Sequence, residues 1–86
     1  MKFYHGTSEE KWHHIQDEGV LWGIRNAPSR CTYLASTPEE AACYGNVVLE
    51  IEHNPKDGIN NYCEECWQFR EYTPIPLEKI MVYTKR

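Results

Sequence analysis

The 86-residue sequence lacks several features that define common classes of protein. It contains no 18-residue apolar run, and its first twenty residues carry His, Glu and Asp in place of an apolar leader. We therefore expect a cytoplasmic protein with no membrane partner. Neither of the common phosphate loops, GxGxxG and GxxxxGK[ST], occurs in the chain, so no such motif indicates a nucleotide-binding fold.

Positive charge is also scarce, because 9 Lys and Arg face 13 Asp and Glu, and the formal net charge is −4. Sequence-independent binding of DNA or RNA needs many cations facing phosphates, so we do not expect bulk nucleic-acid binding. One stretch departs from this balance. No acidic residue lies between Glu18 and Glu39, whereas Arg25 and Arg30 both do, and local cations of this kind can hold a small phosphorylated ligand.

The four cysteines give little support for a metal site or for disulfides. Only Cys63 and Cys66 have the spacing of metal ligands, and a structural zinc ion usually needs a second close pair. We expect free thiols and no metal. A small zinc-stabilised interaction domain built on these two cysteines is the alternative.

A chain of this length predicts one domain, residues 1–86, which buries only about 60% of its unfolded surface. Strand composition predicts strands at 2–5, 31–36, 47–52, 66–72 and 79–84, and 47–52 and 66–72 also show two alternating faces. The spacings Thr7 to Glu10 and Thr37 to Glu40 are those of capping boxes that start two helices, the first of which ends at Gly19. Because strands outnumber helices and both helices come early, the pattern predicts an α+β fold with a largely antiparallel sheet.

Four residues stand where they could bind a ligand. His5 and Gly6 end the first predicted strand, and a glycine there lets a ligand approach the backbone while the imidazole supplies a directed hydrogen bond. Tyr33 ends a later strand and Tyr44, eleven residues on, ends the following helix, so two rings could stack on a flat heteroaromatic group. Simpler explanations exist for each: a turn glycine, a hydrogen-bonded histidine and two core aromatic residues.

Together, the stretches YHGTS, TYLASTPEEAACYG and VVLEIE resemble the ADP-ribosyltransferase fold, in the branch of the poly-ADP-ribose polymerases and the RNA 2′-phosphotransferases. In that branch a His-Gly-Ser/Thr, a Tyr in a Tyr-Φ-Ala run and a second Tyr eleven residues later occur in this order. The stretch IPLEKI is similar to one that precedes the last strand of several bacterial relatives. The resemblance implies a split, bent, mainly antiparallel sheet with two short helices.

The resemblance also implies roles for individual residues around NAD. His5 would bond the 2′-hydroxyl of the ribose, and the Gly6 backbone would pair with the nicotinamide carboxamide. Tyr33 and Tyr44 would stack on the nicotinamide ring, and Thr7 would add a hydroxyl near the ribose. Charge and loop position, not a matched motif, indicate Arg25 or Arg30 as partners of the pyrophosphate.

The family's third catalytic residue is commonly a glutamate several residues before the IPxxxI stretch, and it stabilises the oxocarbenium-like transition state. Counting seven residues back from Ile75 gives Gln68, which is our first choice. Glu65 is the second choice and Glu71 the third, because Glu71 lies on the opposite face of the predicted strand from Gln68. A glutamine can bond a hydroxyl but carries no charge.

The leading hypothesis is an NAD-dependent mono-ADP-ribosyltransferase, with NAD as a substrate and an unknown protein or nucleic-acid acceptor. A catalytically silent module that binds NAD or ADP-ribose is the main alternative. RNA 2′-phosphotransferase-like activity ranks lower, because the chain has no equivalent of the added N-terminal domain of those enzymes.

Overall fold

The structure of the protein, a computed structural model, describes residues 1–23, 31–54, 60–61 and 68–85. The side chains at positions 60, 61, 68, 84 and 85 are outside the description. The first half of the chain forms β1 (Lys2–Thr7), α1 (Glu9–Glu18), β2 (Val20–Leu21), β3 (Thr32–Ala35) and α2 (Pro38–Ala41). A 3-10 turn, Ala42–Tyr44, continues α2. The second half forms β4 (Val47–Glu52), β5 (Asn60–Asn61), β6 (Gln68–Glu71), β7 (Ile75–Pro76), a 3-10 turn (Leu77–Lys79) and β8 (Ile80–Lys85).

Six of the strands form one sheet in the order β5-β6-β3-β1-β4-β8, and β2 pairs with β7 in a second, two-stranded sheet. Each strand pair that the structure describes is antiparallel. With two short helices, this architecture confirms the α+β class and the largely antiparallel sheet. The strands β2, β5 and β7 are not among the predicted strands, because two-residue strands are too short to show alternation.

Strand β1 lies at the centre of the six-stranded sheet, and the length over which it pairs differs greatly between its two neighbours. It pairs with β4 along its whole length, from Lys2 opposite Glu52 to Thr7 opposite Val47. With β3 it forms the single pair of Tyr4 and Ala35. The β1 residues beyond Tyr4 therefore have no residue pair with β3.

The helix ends follow local capping chemistry. The Oγ of Ser8 accepts a hydrogen bond from the Lys11 N–H at 3.1 Å, so Ser8, and not the predicted Thr7, is the N-cap of α1. Thr7 instead ends β1, where its side chain is buried. Gly19 closes the helix with φ of 80°, a left-handed conformation that glycine adopts without strain, as predicted. The predicted cap of α2 is confirmed, because Thr37 Oγ1 accepts from the Glu40 N–H at 3.3 Å.

Strand alternation divides the core between the two faces of the six-stranded sheet. The larger cluster packs against Ile15 of α1 and includes Phe3, Leu34, Leu49, Ile51 and Phe69. On the opposite face, Ala35 and Val48 pack against Ala41 of α2, with Tyr4 beside them. Helix α1 therefore covers one face of the sheet and α2 the other.

A buried hydrogen-bonded pair of polar side chains lies beside the larger cluster. The Nε2 atom of His53 is 2.6 Å from Oε1 of Glu71, and the two side chains are 6% and 0% exposed. The other carboxylate oxygen of Glu71 accepts hydrogen bonds from the backbone N–H groups of Tyr72 and Thr73 at 2.9 and 3.4 Å. Glu71 thus has a partner for both oxygens, which is the condition under which a buried carboxylate is tolerated.

We predict that Glu71→Ala lowers the free energy of unfolding by about 3–5 kcal/mol, because it leaves the buried His53 without its partner. The measurement is urea unfolding followed by circular dichroism. Glu78→Ala is the control, since Glu78 is exposed and its loss should cost less than about 0.5 kcal/mol. Equal effects of the two substitutions would show that the buried pair does not stabilise the fold.

Candidate functional site

A hydrogen bond joins two of the predicted site residues where β1 and β3 cease to pair. His5 follows Tyr4, the last β1 residue paired with β3, and its Nδ1 atom lies 2.8 Å from the carbonyl oxygen of Tyr33. A carbonyl oxygen can only accept a hydrogen bond, so Nδ1 carries the proton. In the neutral ring, Nε2 is then the nitrogen with a free lone pair and can accept a hydrogen bond from a hydroxyl.

The surroundings of His5 keep its ring neutral. Burial lowers the pKa of His5 below the ordinary value of 6.5, and the hydrogen bond to the Tyr33 carbonyl raises it only in part. The ammonium of Lys11, on α1, lowers this pKa further. At neutral pH, His5 is therefore an acceptor at Nε2 and not a cation.

Gly6 is a glycine because α2 lies directly on β1. A Cβ atom at Gly6 would overlap the backbone carbonyl of Ala41, and it would lie 3.3 Å from the Cβ of Tyr44. A Cβ atom at Gly45 would likewise overlap the carbonyl oxygen of Thr7. These contacts place Tyr44 beside Gly6 at the end of β1. Close packing thus accounts for this glycine without any ligand.

The two tyrosine rings do not belong to the core, since 48% of Tyr33 and 60% of Tyr44 is exposed. Alternation along β3 directs Tyr33 to the same face as Ala35, which is the face that α2 covers. His5 alternates with Tyr4 and so projects to the α1 face. The Tyr33 ring and the imidazole of His5 therefore project from opposite faces of the sheet, and the contact between the two residues is the hydrogen bond from His5 to the backbone carbonyl of Tyr33.

The sequence analysis missed one neighbour of Tyr33. Arg70 of β6 lies directly opposite Tyr33 in the β3–β6 ladder, and its guanidinium carbon is 5.8 Å from the centre of the Tyr33 ring. This is the geometry of a cation–π contact. The signal was present in the sequence, because the alternation of residues 66–72 predicts opposite faces for Arg70 and the buried Phe69.

The remaining predicted residues are placed as follows. The backbone of Gln68 pairs with Ala35, two residue pairs along the ladder from the Tyr33–Arg70 pair. Glu71 is buried against His53, on the side of the sheet away from Tyr33, and Thr7 is only 4% exposed. The residues outside the description are Arg25, Arg30, Glu65, Cys63 and Cys66.

The described residues contain neither a group arranged to bind a metal ion nor a helix that could cross a membrane. Among them, no group of three or more His, Cys, Asp or Glu residues is arranged to hold a metal ion. The longest helix in this part of the chain has ten residues, and none has the length and apolar character needed to cross a membrane. Comparison with known proteins found no matching protein family, no matching curated protein and no matching solved structure.

The lowered pKa of His5 predicts how stability depends on pH. Below pH 6.5 the unfolded chain takes up a proton on His5 that the folded protein does not, so the free energy of unfolding falls as the pH drops from 6.5 to the lowered pKa. Urea unfolding at about pH 7.5 and about pH 5 measures this effect. Between these two pH values, His5→Gln should lose less of its free energy of unfolding than the wild type. His13→Gln, at an exposed position, is the control and should keep the wild-type slope.

Proposed function

We propose that the protein binds NAD where β1 and β3 cease to pair and acts as a mono-ADP-ribosyltransferase. The observation that carries this proposal is the 2.8 Å hydrogen bond between His5 Nδ1 and the Tyr33 carbonyl. It joins two residues that the sequence resemblance assigns to the ribose and the nicotinamide, and it fixes the imidazole with Nε2 as the acceptor. The acceptor of ADP-ribose, protein or nucleic acid, is left open.

In the proposed complex, Nε2 of His5 accepts a hydrogen bond from the 2′-hydroxyl of the ribose. The exposed rings of Tyr33 and Tyr44 stack on the nicotinamide, a contact that offset aromatic pairs favour by about 0.5–1.5 kcal/mol. Holding the ring and the ribose separately orients the bond between them for cleavage. Nicotinamide then departs, and the ribose carbon passes through an oxocarbenium-like state before the acceptor, or water, attacks.

A second candidate function is binding of NAD or ADP-ribose without turnover, and the charges near the site favour it. An oxocarbenium-like state requires a negative charge nearby, but Glu71 is buried in its pair with His53. The described charged groups beside His5 and Tyr33 are the cations of Lys11 and Arg70. If Gln68 is the third residue, as predicted, it can bond a hydroxyl but brings no charge.

A proton NMR time course of NAD with the purified protein tests both candidates. Transfer or NAD hydrolysis predicts that free nicotinamide accumulates above a protein-free control and that His5→Ala abolishes this release. His13→Ala, on the exposed side of α1, should release nicotinamide at the wild-type rate. Broadening of the nicotinamide signals without release supports the binding module, whereas unchanged signals in a folded protein contradict both functions.

We also predict that Tyr33→Ala weakens NAD binding by about 1 kcal/mol, roughly fivefold, because the nicotinamide loses a stacking partner. Tyr83→Ala is a matched control. Tyr83 is 52% exposed, much like Tyr33, but it lies on β8 and its ring contacts Tyr4. Isothermal titration calorimetry measures both affinities, and equal losses would contradict the assignment of Tyr33 to the site.

A further inference from the structure

Resting on the proposed function, we propose that Arg70 binds a phosphate group of the ligand, so that the site selects nicotinamide nucleotides over nicotinamide ribosides, which lack the phosphate. The observation behind this inference is the position of Arg70. It lies across the β3–β6 ladder from Tyr33, with its guanidinium 5.8 Å from the centre of the Tyr33 ring. Any flat group that stacks on Tyr33 is therefore close to a fixed positive charge.

The guanidinium of Arg70 is available to an anion. The residue is exposed, and the ring of Tyr33 is the contact that the structure records for it among the described residues. The adjacent carboxylate, Glu71, points away from Arg70 and is occupied by His53 and two backbone N–H groups. An arginine in an acidic protein that has no carboxylate partner among these residues retains its capacity for a bidentate anion.

Contact with Tyr33 also prepares the arginine for binding. The flat guanidinium beside the aromatic ring loses part of its conformational freedom before any ligand arrives, and the N–H groups at its edge stay open to oxygen atoms. A phosphate presents two oxygens that accept two parallel hydrogen bonds from such a group, whereas a hydroxyl presents a single oxygen. The geometry therefore favours a phosphate ester over an uncharged sugar.

The position of Arg70 relative to His5 gives the order of groups in the ligand. His5 bonds the carbonyl of Tyr33, and Arg70 lies on the other side of Tyr33, in the next strand. Tyr33 is thus flanked by a neutral hydrogen-bond acceptor and by a cation. A ligand that carries a ring and a phosphate can contact Tyr33 and Arg70 together, because these two side chains share one face of the sheet, and nicotinamide mononucleotide is a small probe of this kind.

The test compares nicotinamide mononucleotide with nicotinamide riboside, which differ by one phosphate. By calorimetry, the wild-type protein should bind the mononucleotide about tenfold more tightly than the riboside. Arg70→Gln should remove this preference and leave the riboside affinity unchanged. The control is Lys79→Gln, which removes a cation from the turn before β8 and should keep the preference.

The possible outcomes separate this inference from the proposed function. If both probes bind and Arg70→Gln keeps the wild-type preference, the role of Arg70 is overturned while nicotinamide binding stands. If neither probe nor NAD binds, the proposed function fails, and NMR titration with inorganic pyrophosphate decides the question of Arg70. Shifts of the Tyr33 ring signals that disappear in Arg70→Gln support the anion site, and their absence in the wild type overturns it.

Discussion

The close contact between α2 and β1 at Gly6 determines the arrangement of the site. Because Gly6 has no side chain, the carbonyl of Ala41 lies against the strand, and the turn after α2 places Tyr44 at the strand end. Gly45 permits a second close approach, to the carbonyl of Thr7. This packing occupies the α2 face of β1. The space directly above Gly6 is therefore filled by the helix, whereas the rings of Tyr33 and Tyr44 are exposed.

The second constraint on the site is the burial of the acidic residue of β6, Glu71. Burial of Glu71 with His53 gives the core a hydrogen-bonded pair in which both oxygens of Glu71 have partners, and it removes the carboxylate of β6 from the surface. Arg70, the next residue back, faces outward. A one-residue shift of β6 along β3 would exchange these two side chains, so the register of this strand pair determines whether the site is acidic or basic.

Much of the fold could be predicted from the sequence, because strong local patterns specify it. The cap at Thr37, the left-handed glycine at position 19 and the alternation of Phe69 with Arg70 all act over a few residues. The site was less predictable. The partner of His5 is a backbone carbonyl 28 residues away, and no side-chain pattern encodes such a contact. From the sequence, Gly6 was interpreted as leaving room for a ligand, whereas in the structure α2 packs there. Both arrangements require a residue without a side chain, so the sequence alone does not distinguish them.

The central position of β1 has a consequence for folding kinetics. Its only extensive ladder joins Lys2 to Glu52 and Thr7 to Val47, so this pairing closes loops of about 40–50 residues. Contacts between residues so distant in sequence form slowly, because the entropy of loop closure is lost before the ladder stabilises the chain. During synthesis, β1 emerges before β4 and cannot form this ladder until β4 has followed it. We therefore expect cooperative folding only after most of the chain is available, with α1, whose backbone hydrogen bonds are local, as the earliest structure.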